Sequence, residues 1–76
     1  MNIYFFTFGC KVNQYETESI RQSLTAAGHT PCSSENEAEL FVINSCTVTH
    51  SGDKKWLKLM RRLRREYPES IILLTG

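Results

Sequence analysis

Three apolar runs punctuate the chain, at residues 2–8 (NIYFFTF), 40–44 (LFVIN) and 70–75 (SIILLT), and segments of helical period lie between them. Strands buried on both faces read as continuous β-branched and aromatic stretches of this kind. Parallel neighbours need a crossover connection, so helices between strands imply a parallel sheet. This one feature confines the chain to an α/β fold with helices lying on the sheet.

The connecting segments fill in the order. Gly9 permits a sharp turn after the first run. Asn13 is expected as the helix N-cap, with Glu16 three residues later completing a capping-box-like pattern. The helix is expected to reach about Ala27, with Thr17, Ile20, Leu24 and Ala27 on one face and Gly28 as its stop. Residues 29–33 predict a weak second strand, where Pro31 suits an edge. Ser34 to Glu39 is a polar, acidic connection. A second helix is expected from about residue 52 to Glu66, with Pro68 after its end. The expected sheet is a flavodoxin-like half with strand order 2-1-3-4 and crossover helices, stopping after the fourth strand. That last strand is apolar and forms an open edge. Either a longer native chain covers it or it self-associates with another copy.

Size and composition narrow the class. A chain of 76 residues makes one small domain, which buries only about 60% of the surface its unfolded form exposes. Three cysteines is an odd number, whereas small secreted scaffolds carry them in pairs, so a reducing, cytoplasmic compartment is expected. The apolar start is too short for a signal sequence and lacks a basic leader. No run approaches the roughly 20 apolar residues of a membrane span, so no membrane partner is expected.

Cys10 and Cys46 each sit just past an apolar run, and the chain stops at Leu74-Thr75-Gly76, the end of a third. Ligands of doubly wound sheets bind at the carboxyl ends of strands. Cys10 also precedes a predicted helix N-terminus, which favours a thiolate. Position alone nevertheless favours the simpler reading of both as small buried hydrophobes. The chain has no Cys-x-x-Cys, which leaves little room for a thiol-redox domain. Cys46 and His50 make a weak zinc pattern. His50 reads as a loop residue, His29 as a solvated helix-end residue and Cys32 as structural.

The residues around the two cysteines say more. TFGCKVNQYETE (Thr7 to Glu18) and INSCTVTHSGDKK (Ile43 to Lys55) resemble the two opening signatures of the methylthiotransferases, radical S-adenosylmethionine enzymes that insert sulfur into a tRNA base or a ribosomal protein. Thr75-Gly76 resembles the start of the third signature, in which cysteine comes next. The resemblance covers the whole chain in order and spacing. Lys11-Val12-Asn13-Gln14 is similar to the branch that acts on threonylcarbamoyladenosine in tRNA. The resemblance implies an N-terminal domain that holds an auxiliary [4Fe-4S] cluster through three cysteines. Cys10 and Cys46 match the first two, and the third falls beyond Gly76. It also implies a radical domain with S-adenosylmethionine and a second [4Fe-4S] cluster, and a C-terminal RNA-binding domain. Neither is in these 76 residues, so the chain alone is expected to be inactive. Asn13 and Glu16 belong to the first signature; a hydrogen bond from Asn13 toward the cluster is the alternative to their capping role.

Lys54, Lys58, Arg61 and Arg65 recur at helical spacing on one face, with Lys55, Arg62 and Arg64 beside them and no acidic residue between Lys54 and Arg65. Trp56, Met60, Leu63 and Tyr67 take the opposite, core-facing side. Such a face is commonly just solvated; the alternatives are phosphate contacts to RNA or contacts to further domains. A stand-alone binding module built on this helix is the second functional reading.

Overall fold

The structure, a computed structural model, describes residues 1–9, 11–45 and 55–75. Strand β1 (Asn2–Phe8) leads into helix α1 (Lys11–Ala26), and β2 (Thr30–Pro31) follows. A 3-10 turn, Glu35–Glu37, then leads into β3 (Leu40–Ser45). Helix α2 (Lys55–Glu66) and β4 (Ile71–Thr75) complete the described chain. All pairings are parallel and the order is β2-β1-β3-β4, the expected flavodoxin-like half. The predicted first turn of α2, residues 52–54, lies outside the described residues.

The sheet alternates its side chains between the two helices. Tyr4, Phe6 and Phe8 share a face with Phe41, Ile43, Ile72 and Leu74, and α2 packs there through Trp56, Leu59, Met60, Leu63 and Tyr67. Phe41, Ile43 and Leu63 are completely buried, each such side chain stabilising the fold by about 1.5–3 kcal/mol. The Phe41 and Tyr67 rings lie 5.3 Å apart, which locks the end of α2 onto β3. The opposite face buries Ile3 and Val42. Helix α1 contacts β1, β2 and β3. Ile71 and Leu73, in register with Leu40 and Val42, remain 52% and 46% exposed on β4.

Both ends of α1 have a local cause. Gly9 adopts φ +120°, a conformation that turns β1 directly into the helix and that side-chain-bearing residues rarely take. At the other end, His29 N–H donates to Leu24 O at 3.0 Å and Gly28 N–H donates to Thr25 O at 3.0 Å. With Gly28 at φ +98°, this is a Schellman stop. Ala27 therefore lies past the helix and is exposed, unlike Thr17, Ile20 and Leu24.

Asn13 is not the N-cap. The early turn at Gly9 starts α1 at Lys11 and carries Asn13 into its first turn, where it is 3% exposed. Glu16 points to solvent. The second strand is only two residues long. Thr30 N–H donates to Met1 O and Cys32 N–H to Ile3 O, while Pro31 between them has no donor to offer. His29 is half-buried, with Nδ1 3.1 Å from the Met1 amino group.

Candidate metal centre

Cys10 and Cys46, the two residues that carry the sequence prediction, lie outside the described residues, as do His50 and Lys54. Phe8 and Ser45 are register partners at the ends of β1 and β3, and adjacent strands run about 4.8 Å apart. Thr75, at the end of β4, pairs with Asn44. Three neighbouring strands thus finish side by side at one edge of the sheet.

Immediately beneath that edge lies a polar network that the sequence reasoning did not single out. Thr7 and Asn44 are register partners on the α1 face. The Asn44 amide donates to Asn13 O at 2.8 Å and to Thr17 Oγ1 at 3.1 Å. Its carbonyl oxygen accepts from Asn13 Nδ2 at 3.4 Å. Thr17 Oγ1 lies 2.8 Å from Thr7 Oγ1. Asn44 and Ser45 are 1% exposed. Both amide protons of Asn44 are used, as a buried carboxamide requires. The network ties the first turns of α1 to the ends of β1 and β3, the three segments that flank the cysteines. One sequence signal pointed to it: Thr7 and Asn44 are polar side chains inside otherwise apolar buried runs, and such groups need partners.

Cys32 is elsewhere. It follows β2 at the level of the amino end of β1, roughly 13 Å from the strand ends at about 3.3 Å per residue. Its thiol donates to Ser34 O at 3.3 Å and Ile3 O at 3.5 Å. Among the described residues, no group of three His, Cys, Asp or Glu side chains is placed to hold a metal. No helix of the described residues is long and apolar enough to cross a membrane.

The basic helix is less uniformly charged than its sequence. Arg62 makes a two-pronged pair with Glu35, at 3.0 and 3.1 Å, and meets Glu66 at 3.1 Å. The expectation of an unopposed run of seven cations is corrected here, because Glu35 reaches across from the turn before β3. The Arg62 hydrogen bonds and charge hold the Glu35 carboxyl below its ordinary range, and Glu35 followed by Glu66 pushes the guanidinium up. Desolvation, then the Glu35 and Glu66 charges, raises the Tyr67 hydroxyl. Tyr67 Oη donates to Asn36 Oδ1 at 3.0 Å.

The parallel sheet with helices on both faces makes this an α/β domain. Residues 2–76 match the family model described as Uncharacterized protein family UPF0004, and the chain belongs to that family, the N-terminal domain of methylthiotransferases. It is 47% identical, over 97% of its length, to the threonylcarbamoyladenosine tRNA methylthiotransferase MtaB of Bacillus subtilis. It is 41% identical over 92% of its length to the MtaB of Thermotoga maritima. A tRNA-2-methylthio-N(6)-dimethylallyladenosine synthase of Herpetosiphon aurantiacus is 33% identical over 99% of the chain. The chain spans only 16–18% of the length of these relatives. No solved structure matches it.

Proposed function

We propose that this chain is the N-terminal domain of a tRNA methylthiotransferase that adds a methylthio group to threonylcarbamoyladenosine, and that Cys10 and Cys46 hold an auxiliary [4Fe-4S] cluster. The observation that carries the proposal is the register of Phe8 with Ser45, which ends β1 two residues before Cys10 and β3 one residue before Cys46. The identity to the Bacillus subtilis enzyme supports the substrate branch. A third cysteine directly after Gly76 completes the proposed set, beside the end of β4.

The residues present fit such a group. Thiolates are the ligands iron–sulfur clusters take, and the buried amide network joining α1 to the ends of β1 and β3 supplies a rigid base. Held by three cysteines, such a cluster would keep one iron available to bind sulfur. The chain's own part is to hold and orient. Gly9 turns the backbone so that Cys10 joins β1 to α1. Asn44 fixes α1 to β3 through Asn13 and Thr17, which sets the spacing of the two cysteine-bearing segments. Radical chemistry belongs to a further domain, since no Cys-x-x-x-Cys-x-x-Cys occurs here, and the 76 residues alone are proposed to be inactive.

Anaerobic iron–sulfide reconstitution of the full-length protein tests this. Cys10→Ala and Cys46→Ala should each lose about half of the bound iron and sulfide, while Cys32→Ala keeps all of it. Full iron content in Cys46→Ala would refute the ligand assignment.

A further inference from the structure

We infer that the exposed face of α2 formed by Lys58, Arg61 and Arg65 is a docking surface for the phosphate backbone of RNA. The inference rests on the tRNA reading above for the identity of the polyanion, and on the structure for which cations remain to meet it.

The structure sorts the cations of the helix into two sets. Arg62 is held by Glu35 and Glu66, and Arg64 donates to Ser70 O at 3.5 Å. Lys55 also has a partner. Lys58, Arg61 and Arg65 are exposed and meet no acidic side chain among the described residues. They stand at i, i+3 and i+7, one stripe of the helix. At about 1.5 Å per residue, the stripe runs roughly 10 Å, long enough to face more than one phosphate. Arg61 and Arg65, with Arg64 and Met60, also line a shallow groove of 390 Å³. The apolar side of α2 packs on the sheet through Trp56, Leu59, Leu63 and Tyr67, so the basic stripe is available to a partner.

A polyanion is the occupant that the charge selects. Glu35 and Glu66 are already paired with Arg62. A surface with three unneutralised cations gains by releasing the counterions condensed on a nucleic acid, and that gain depends steeply on salt. The contacts position the RNA without reading its bases.

The test is the salt dependence of binding between the full-length protein and a fluorescently labelled, unmodified tRNA transcript, followed by anisotropy. The triple variant Lys58→Gln, Arg61→Gln, Arg65→Gln keeps good helix formers on a solvent-facing stripe. It should lower the slope of log Kobs against log salt by about 2.1 to 2.7, at roughly 0.7 to 0.9 per phosphate contact. Between 50 and 200 mM salt, the wild type should therefore lose about 15- to 40-fold more affinity than the variant. Arg21→Gln, which removes a cation that Glu18 pairs on α1, should leave the slope unchanged. An unchanged slope in the triple variant, with wild-type protein binding tRNA, overturns the inference and leaves the tRNA reading standing; it would assign the face to solvent or to a protein contact. Failure of wild-type protein to bind tRNA sinks the tRNA reading and this surface with it. Retained iron in the cysteine variants, with the slope change present, removes the cluster assignment alone.

Discussion

Replacing Asn44 with Asp probes the polar network with almost no change in shape. The wild-type amide donates to Asn13 O and Thr17 Oγ1. A carboxylate has no proton for Asn13 O, so Asn44→Asp removes that buried hydrogen bond, worth about 1 kcal/mol net, whereas the Thr17 hydroxyl can turn to donate to the carboxylate. It also places an anion 1% exposed against a carbonyl oxygen. Burial and that carbonyl push the new carboxyl's pKa up, and each unit of upward shift costs about 1.4 kcal/mol at neutral pH. A combined loss of about 2–4 kcal/mol is expected at pH 7. For 76 residues, total stability is about 4–11 kcal/mol, so the variant should lie near its unfolding limit. The sign of the pH dependence follows from the raised folded pKa. The penalty is fully present above that pKa and shrinks as the pH falls toward the unfolded value near 4, where the neutral acid regains one donor. Urea unfolding followed through Trp56, whose ring packs against the core, reads this at pH 7 and pH 5. A loss below about 1 kcal/mol at pH 7, or a penalty that grows on acidification, would show that the Asn44 amide does not hold α1 to β3.

Three further outcomes follow from the same structure. Leu63→Ala empties a fully buried position between α2 and the sheet and should cost about 2–5 kcal/mol in denaturant unfolding. Glu35→Gln should cost about 0.5–1 kcal/mol at neutral pH, since its pair with Arg62 is partly solvated. Arg62 lowers the folded pKa of Glu35, so the contribution is complete above the ordinary value of 4.5 and disappears as pH falls through the lower folded value. Wild type and variant should therefore converge in acid unfolding curves. Gly28→Ala should cost about 1 kcal/mol from the φ of +98° alone, because an added Cβ meets nothing within 4 Å, and Gly28→Asn should cost less. Equal melting temperatures for Gly28→Ala and wild type would contradict the Schellman stop.

The sheet was legible because its information is local. Apolar runs at residues 2–8, 40–44 and 70–75 became β1, β3 and β4 nearly to the residue, and the helices between them dictated parallel pairing. Gly28 and Pro68 marked helix ends for reasons internal to the backbone. What the sequence concealed was contact at a distance. The Asn-to-Glu spacing from Asn13 to Glu16 has the form of a cap, but a positive φ at Gly9 and a partner 31 residues away at Asn44 decide what Asn13 does. Arg62 looked free on its own helix because Glu35 lies 27 residues earlier. The cysteines were read from their flanking residues, and those flanks are what the strand register brings together.

The two borders of the sheet are chemically unequal. On one side, β2 is two residues long, and Pro31 interrupts its donors. On the other, β4 offers five residues with half-exposed Ile71 and Leu73 and is the outer strand among the described residues. Among the described residues the sheet therefore has a direction of growth: a strand that joins it, from its own polypeptide or another, finds hydrogen-bond partners and an apolar bed alongside β4.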